Sequence, residues 1–459
     1  MPATSGELRA GGHQHRSVKS ELRENVLERL SGARTTLPGI VGFDDTVVPE
    51  VERAIIAGHD FVLLGERGQG KTRLARTLIE LLDEWSPSIR GCEINDHPYE
   101  PACVRCQRLT QEQGDDVAIT WRHRTERYGE KLATPDTSVG DLIGDIDPIK
   151  VAEGRTLGDP ETIHYGLVPR TNRGIFTINE LPDLAERIQV SLLNVLEERD
   201  IQVRGYQLRL PLDLVLVASA NPEDYTNRGR IITPLKDRFG AEIHTHYPLE
   251  LGDELNVLHQ ECHLQAAVPE FLLEVVARFT RAVRQSPAVD SRSGVSARFG
   301  VAAVESVSAS ALRRAALVGE EPAVARIGDI PGVVPTLRGK VEFEVSEQGR
   351  ELDVLEHLLR RSTAEVFRDR LAGLDLDPFV ARFEDGDHVE TGELVAAVDL
   401  LTKIGPVEGL AKVMDRLGLA GAETPTYAAA ALEFTLEGLY LTRRLSKETV
   451  GGRARYSAT

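Results

Sequence analysis

Short apolar runs alternate with amphipathic, helix-like stretches over roughly residues 37–250. The apolar runs lie at residues 61–64, 117–121, 174–178, 214–219 and 241–244. Each has the length of a buried strand, and the stretches between them are long enough to cross back over a sheet. The pattern predicts an α/β fold in which a parallel sheet carries helices on both faces.

The segments on either side of this region are predicted to be mainly helical. Residues 1–36 combine mixed charge with a short amphipathic run, which predicts an N-terminal helical extension. Helical periodicity predicts a second, helical domain over residues 251–330. A break rich in proline and glycine follows, and we expect residues 331–459 to form a mainly helical, acidic C-terminal domain. The α/β domain is therefore predicted to span residues 37–250.

Composition excludes several classes of protein. A chain of 459 residues is too long for one hydrophobic core. Its formal charge of −18 argues against a nucleic-acid binder, because affinity for phosphate backbones depends on clustered Lys and Arg. No apolar run approaches the ~20 residues needed to span a bilayer, and the N-terminus lacks an apolar signal segment. Four cysteines make no disulfide framework, so we expect a cytoplasmic protein without membrane insertion.

Acidic residues are concentrated in the stretch 341–400, with 16 Asp and Glu against 6 Arg and Lys. Two interpretations remain open at this stage. The acidic side chains form a solvated helical surface that aids solubility, or they form a docking face for a basic partner.

The first apolar run leads directly into a phosphate-binding motif. The complete G-x-x-x-x-G-K-[ST] pattern consists of Gly65, Glu66, Arg67, Gly68, Gln69, Gly70, Lys71 and Thr72. Glycines let backbone N–H groups surround phosphates, and the following helix N-terminus favours negative charge. We expect Lys71 to reach the β- and γ-phosphates and Thr72 to ligate Mg²⁺. The motif, with a strand before it and a helix after it, predicts that ATP and Mg²⁺ bind here.

Two further strands end in polar residues suited to nucleotide hydrolysis. The run 174–178 is followed by Asn179 and Glu180, and the run 214–219 is followed at a short distance by Asn221. Glu180 occupies the position of a catalytic base. Asn179 stands where an aspartate is usual, so we expect weaker Mg²⁺ handling and slower turnover. Because ligands bind at the carboxyl ends of strands in such sheets, Asn221 is predicted to face the same crevice.

These motifs together resemble the AAA+ ATPases, and within them the clade of the MoxR proteins and magnesium chelatase subunit I. The resemblance covers residues 36–320. Besides the phosphate-binding motif and residues 174–180, it rests on Ile40-Val41-Gly42, on residues 140–147 and on residues 166–174. The run Gly-Asp-Ile-Asp and the pattern L-x-x-R-x-N-R-G favour the chelatase subunit over a generic MoxR protein.

The resemblance implies roles for individual residues. Asn221 corresponds to sensor 1, which contacts the attacking water or the γ-phosphate. Arg238 corresponds to the arginine finger that a neighbouring subunit supplies in trans, and Arg298 corresponds to sensor 2 at the start of the helical lid domain. Residues 140–168 correspond to the clade's helix-2 insert. A finger acting in trans implies a homo-oligomeric ring, most often a hexamer, and the clade usually works with a separate von Willebrand A-domain protein.

A cysteine cluster lies between the phosphate-binding region and the next apolar run. Cys92, His97, Cys103 and Cys106 could form a tetrahedral structural Zn²⁺ site, since thiolates and imidazole are the usual ligands. The spacing matches no standard zinc pattern. A plain reduced loop and a redox-active pair therefore remain open as alternatives.

The sequence thus predicts a ring-forming ATP hydrolase that couples ATP binding and hydrolysis to the remodelling of a protein partner. One alternative is a true magnesium chelatase subunit, which inserts Mg²⁺ into protoporphyrin together with partner subunits. Another is an ATP-gated binding module with little turnover, because of Asn179. A transcriptional activator of the sigma-54 type is not supported, because the chain has no G-A-F-T-G-A loop.

Overall fold

The computed structural model divides the chain into two units, Met1–His246 and Tyr247–Thr459. It describes residues 1–152, 160–197, 201–203, 206–208, 210–222, 230–290, 294–383, 387–422, 424–450 and 453–459. Within these ranges, no helix is both long and apolar enough to cross a membrane.

The first unit contains eleven labelled strands among its described residues. They are β1 (Phe61–Leu64), β2 (Trp85–Ile89), β3 (Ile119–His123), β4 (Tyr128–Leu132), β5 (Gly144–Ile146), β6 (Ile163–Tyr165), β7 (Gly174–Asn179), β8 (Ile201–Val203), β9 (Tyr206–Leu208), β10 (Leu214–Ala220) and β11 (Ala241–His244). Its helices are Ser5–Ala10, Val18–Ser31, Val47–Ala57, Lys71–Thr77, Val104–Gln113, Val139–Leu142, Pro148–Ala152, Leu167–Arg170, Glu186–Glu197 and Thr233–Arg238.

A five-stranded parallel sheet organises this unit, in the order β11-β1-β10-β7-β4. Successive side chains of its strands enter two different cores. Phe61 and Leu63 of β1 pack on one face, and Val62 and Leu64 pack on the other. Both faces are therefore buried, which explains why the central strands are continuously apolar rather than alternating. The α/β architecture predicted from the sequence is confirmed.

The composition of this sheet corrects one prediction. The apolar run 117–121 contributes to β3, but β3 pairs antiparallel with β2 in a separate two-stranded sheet. The fifth parallel strand is instead β4, whose sequence is Tyr-Gly-Glu-Lys-Leu. A strand at the sheet edge needs little apolar burial, so β4 gave no hydrophobic signal.

The segment predicted to be an N-terminal extension contains the helix Val18–Ser31, which packs into one of the two cores of the sheet unit. Its Glu21 is almost fully buried and accepts hydrogen bonds from Arg127 Nη1 and Nη2 at 2.7 and 2.6 Å. Arg127 Nε donates to the carbonyl of Arg173, just before β7, at 2.8 Å. This bidentate pair ties the N-terminal helix to the strand that ends in Asn179.

Replacing Arg127 by methionine is expected to lower the free energy of unfolding by about 3–5 kcal/mol, because Glu21 would remain as an unpaired buried charge. Chemical denaturation of the full chain measures this loss. Arg34→Ala is the matched control, since Arg34 pairs with Glu28 through side chains that are more than half exposed, and such pairs contribute about 0–1 kcal/mol. Equal losses in the two variants would contradict the structural role of the buried pair.

Two further antiparallel strand pairs occur in the first unit, one of them within the segment 140–168 that the resemblance assigns to the helix-2 insert. β5 and β6 pair within residues 140–168, and β8 and β9 pair after the helix Glu186–Glu197. The tip of the β8–β9 hairpin and residues 153–159 lie outside the described residues.

The second unit is mainly helical, as predicted. Its helices are Leu251–Glu261, Glu270–Arg284, Ala297–Val318, Val334–Leu337, Glu351–Arg370, Asp377–Ala381, Ala397–Ile404, Leu410–Arg416 and Pro425–Leu441. The sequence did not predict a small antiparallel sheet formed by β12 (Val389–Gly392), β13 (Ser446–Val450) and β14 (Arg453–Ser457). The helix Pro425–Leu441 lies in the centre of this unit, and a Cβ atom on Gly438 would overlap the ring of Phe367.

Candidate nucleotide-binding site

The phosphate-binding motif forms the loop that connects β1 to the helix Lys71–Thr77. Gly68 and Gly70 have φ values of 75° and 79°, in the left-handed region where other residues are strained. A Cβ atom on Gly65 would overlap the Thr245 hydroxyl and the Gln69 amide. Gly68 and Gly70 are therefore required by the shape of the loop, and Gly65 by its close contact with Thr245 and Gln69.

Gln69 and Thr245 hold the loop against the end of the neighbouring strand. Gln69 Oε1 accepts hydrogen bonds from the Glu66 N–H at 3.0 Å and from Thr245 Oγ1 at 2.8 Å. Thr245 follows β11, and its N–H donates to the Leu64 carbonyl at 2.7 Å. Sequence analysis missed Thr245, because a single threonine after a strand carries no recognisable signal.

Lys71 is only 7% exposed and its ammonium group is held at the mouth of the loop. It donates to the carbonyl oxygens of Gly65 and Glu66, the latter at 2.8 Å, and to Asn221 Oδ1 at 2.8 Å. An ammonium group beside a glycine-rich loop at the start of a helix suits an anionic ligand such as a phosphate. Thr72 is half-buried at the second position of the same helix.

Three of the predicted residues form one hydrogen-bonded row. Asn221 bridges Lys71 and Glu180, since its Oδ1 accepts from Lys71 and its Nδ2 donates to Glu180 Oε2 at 2.7 Å. Glu180 has a φ of 56°, a left-handed conformation that is costly for a residue with a Cβ atom. Its N–H donates to Ser219 Oγ at 3.3 Å. The carboxyl ends of β1, β7 and β10 therefore converge on one point, as the sequence predicted.

Asn179 is bound to a carboxylate that sequence analysis missed. Its Nδ2 donates to Glu130 Oε1 at 2.6 Å, and its Oδ1 accepts from Ser219 Oγ at 3.3 Å. Glu130 lies on β4, and both of its oxygens also accept from Arg76, at 2.8 and 3.0 Å. Partial burial disfavours the charged form of Glu130, but the hydrogen bonds and charge of Arg76 outweigh it and lower the pKa of this carboxyl. A negative charge is thus present beside Asn179.

Arg238 ends the helix Thr233–Arg238, and its side chain is 42% exposed and contacts Asp237. Two residues later, the Gly240 N–H donates to the carbonyl of Asp60, immediately before β1, at 2.8 Å. Arg238 therefore lies near the amino end of β1, whereas the phosphate-binding loop leaves the carboxyl end. The four residues of β1 separate these two ends by about 10 Å.

Arg298 belongs to the second unit, at the second position of the helix Ala297–Val318. It is exposed, and its N–H donates to Ser296 Oγ, which caps the helix, at 3.1 Å. The role implied for it as sensor 2 stays a prediction.

The cysteine cluster has a different composition from the one predicted. Ligand atoms of Cys92, Asp96, Cys103 and Cys106 all lie within 4.8 Å of one another. His97 instead contacts His15 and His13, with ring centroids at 4.3 and 5.5 Å, and its Nδ1 accepts from the Tyr99 N–H. Asp96 and His97 are adjacent in the chain, but their side chains have different neighbours. Among the described residues, the fourth member of the cluster is therefore the carboxylate of Asp96 and not the imidazole of His97.

Comparison with known proteins identifies relatives of this site. A family model described as the Sigma-54 interaction domain matches residues 156–238. The magnesium-chelatase subunit ChlI of Anabaena variabilis is 27% identical over 215 residues, which are 46% of this chain and 60% of that protein. The magnesium-chelatase 38 kDa subunit of Cereibacter sphaeroides is 29% identical over 232 residues, 48% of this chain and 61% of that protein. The chain thus spans about three fifths of the length of these two relatives.

Among solved structures, the chain is similar to the crystal structure of a putative ATPase from Cytophaga hutchinsonii. The two share 16% identity with a TM-score of 0.31, over 77% of this chain and 98% of the other.

Proposed function

We propose that this chain, an AAA+ ATPase related to magnesium chelatase subunit I, hydrolyses ATP in a ring of identical subunits and thereby remodels a protein partner. The observation that carries the proposal is the hydrogen-bonded row of Lys71, Asn221 and Glu180 at the ends of three parallel strands. A buried ammonium group, an amide and a carboxylate in this order suit a phosphate next to an activated water molecule.

Each member of the row has a distinct task in this reaction. Lys71 and the N–H groups of the loop bind the β- and γ-phosphates. Asn221 orients the attacking water, and Glu180 accepts its proton as the oxygen forms a bond to the γ-phosphorus and the bond to ADP breaks. Thr72 would hold the Mg²⁺ of the ATP complex, which neutralises charge on the phosphates.

Arg238 supports assembly into a ring. Arg238 lies near the amino end of β1, whereas the phosphate-binding loop of the same chain follows the carboxyl end. It is therefore better placed to reach the nucleotide of a neighbouring subunit than the nucleotide of its own. A guanidinium there would stabilise the charge that develops on the γ-phosphate. We propose a homo-oligomeric ring, with a hexamer as the expected size.

We further propose that Glu130 supplies the negative charge that Asn179 lacks. The short contact between Asn179 Nδ2 and Glu130 Oε1 polarises the amide, and a polarised amide is a better acceptor for a water molecule of the Mg²⁺ shell. The negative charge thus lies on β4 instead of at position 179 of the adjacent strand β7. This arrangement favours a working ATPase with reduced Mg²⁺ affinity over a module that only binds ATP.

Glu130→Gln is accordingly expected to raise the Mg²⁺ concentration for half-maximal ATP hydrolysis by about tenfold. This factor corresponds to the free energy that one charge-assisted hydrogen bond contributes. Titration of steady-state phosphate release with Mg²⁺ measures the shift. Glu126→Gln is the matched control, because Glu126 is exposed and lies just before the same strand. Identical Mg²⁺ dependence in Glu130→Gln and the wild type would refute the role of Glu130.

The remaining roles rest on the resemblance of the sequence to the MoxR and chelatase clade. We propose that residues 251–330 act as the lid, with Arg298 as sensor 2, and that a von Willebrand A-domain protein is the partner. A true chelatase subunit is the alternative function, favoured by the chelatase relatives. Metallation of protoporphyrin after mixing with the partner subunits would decide between the two.

Four free cysteines fit a reducing compartment such as the cytoplasm.

The match to the Sigma-54 interaction domain does not favour a transcriptional activator. It is confined to residues 156–238, and the chain has no G-A-F-T-G-A loop in its sequence.

The proposed function is tested with the purified full chain, by measuring ATP hydrolysis and molecular mass with and without ATP and Mg²⁺. We expect ATP-dependent assembly together with phosphate release. A chain that stays monomeric at saturating ATP and releases no phosphate would contradict the proposal.

A further inference from the structure

The loop between β2 and the helix Val104–Gln113, together with the first turn of that helix, brings three thiols and one carboxylate close together. Cys92 Sγ and Cys103 Sγ are 3.9 Å apart, and one ligand atom from each of the four residues lies within 4.8 Å of the others. A tetrahedral zinc ion with Zn–S bonds of about 2.3 Å requires sulfur atoms about 3.8 Å apart. The observed separation already has the value that a metal centre would impose.

Asp96 gives an independent indication of a cation. It is 1% exposed, and its Oδ2 accepts a hydrogen bond from the Cys103 N–H at 2.8 Å. Its other oxygen, Oδ1, is buried and has no hydrogen-bond partner among the described residues. Native proteins rarely leave a buried carboxylate oxygen unsatisfied, because it loses its hydration without compensation. A metal ion bound by the three thiolates would satisfy this oxygen.

Backbone N–H groups around the sulfur atoms support the same conclusion. The Asp96 N–H is 3.3 Å from Cys92 Sγ, and the Cys106 N–H is 3.4 Å from Cys103 Sγ. Thiolate ligands of metals are commonly stabilised by such donors, which offset part of their negative charge. Cys103 also caps the helix Val104–Gln113, so Cys106 lies in its first turn and is held rigidly beside the other ligands.

We propose that Cys92, Asp96, Cys103 and Cys106 bind one structural zinc ion. Three soft thiolates and one carboxylate are a four-ligand set that suits Zn²⁺ better than Mg²⁺ or Ca²⁺, which bind through oxygen at higher coordination numbers. All four positions are filled by protein ligands, so no position is open for a water molecule or a substrate. The ion is therefore structural and separate from the nucleotide-binding site.

The contacts of this loop indicate what the ion stabilises. Asn172 Nδ2 donates to the Ile94 carbonyl at 3.1 Å, and Asn95 Nδ2 donates to the Arg170 carbonyl at 2.7 Å. The residues at 170–172 lead into β7, which ends in Asn179 and Glu180. Zinc would thus fix the loop against which the segment before the catalytic strand is packed.

Two other interpretations of this cluster, a disulfide and a zinc site that includes His97, require different interatomic distances. A disulfide would need a sulfur–sulfur distance of about 2.05 Å, and all four cysteines are free in this structure. A site that includes His97 would need an imidazole nitrogen among the thiols, whereas its Nε2 lies 3.3 Å from His13 Nε2.

X-ray absorption spectroscopy of the full chain, purified from zinc-supplemented cells without added chelator, tests the proposal directly. Elemental analysis should give about one zinc per chain, and the zinc edge should show three sulfur ligands near 2.3 Å and one oxygen near 2.0–2.2 Å. Imidazole scattering, another metal at stoichiometric amounts, or a folded zinc-free chain would overturn the proposal. So would a disulfide among the cysteines.

Variants separate the two possible ligand sets. Asp96→Ala is expected to weaken zinc binding, measured by competition with a chelator, by at least about 100-fold. His97→Ala and Cys262→Ser should change it by less than about twofold, since neither residue belongs to the cluster. Loss of zinc from His97→Ala with retention in Asp96→Ala would refute the assignment. Because Asp96→Ala could destabilise the fold, the spectrum of the wild type remains decisive by itself.

Discussion

An Arg238→Ala variant is expected to hydrolyse ATP about 10³- to 10⁵-fold more slowly than the wild type, with ATP affinity changed little. The expected magnitude is that of an arginine finger that stabilises charge on the transferred phosphoryl group. Steady-state phosphate release measures kcat, and binding of a fluorescent ATP analogue measures affinity. Lys236→Ala is the matched control, because Lys236 lies on the same helix and pairs with Glu242 at 2.9 Å.

Mixing two inactive variants tests whether Arg238 acts on the neighbouring subunit. In a ring assembled from Arg238→Ala and Glu180→Gln chains, some interfaces combine an intact Glu180 with an intact Arg238 from the adjacent chain. Activity should therefore return on mixing. A mixture that assembles but stays inactive would show that Arg238 does not act in trans.

The second large effect is expected for Glu180→Gln, which should lower kcat by about 10²- to 10⁴-fold while ATP still binds. The amide keeps the size of the side chain and can still contact Asn221, but it cannot accept the proton of the attacking water. Single-turnover hydrolysis separates this chemical step from product release.

Glu186→Gln is the control for this variant. Glu186 is exposed at the start of the next helix, and its replacement should leave kcat within about twofold of the wild type. If Glu180→Gln retained more than about a tenth of the wild-type kcat, a catalytic base at this position would be excluded.

The phosphate-binding region could be predicted from the sequence because its chemistry is local. Residues 65–72 are consecutive, and the positive φ values of Gly68 and Gly70 follow from the local course of the loop. The resemblance to AAA+ ATPases was carried by similar short runs, and it is confirmed by the chelatase relatives. The predictions for Glu180 and Asn221 followed from a general rule, that parallel strands place their carboxyl ends together.

Glu130 and Asp96 could not be predicted in the same way. Glu130 lies on a polar edge strand that has no apolar pattern, and its contact with Asn179 depends on the pairing of β4 with β7. Asp96 is adjacent to His97 in sequence, and the usual ligand preferences favour the histidine. The course of the backbone through the loop decides which of the two side chains meets the thiols.

The sequence by itself therefore determined the class of fold, the phosphate-binding loop and the polar residues that end the central strands. These features depend on residue type and short spacing, which are properties of the chain before it folds. Only the tertiary structure decided that β4 completes the parallel sheet, that Glu130 contacts Asn179 and that Asp96 joins the cysteines. Each of these involves a strand pairing or a side-chain direction, and both are fixed by packing between distant segments rather than by local preference.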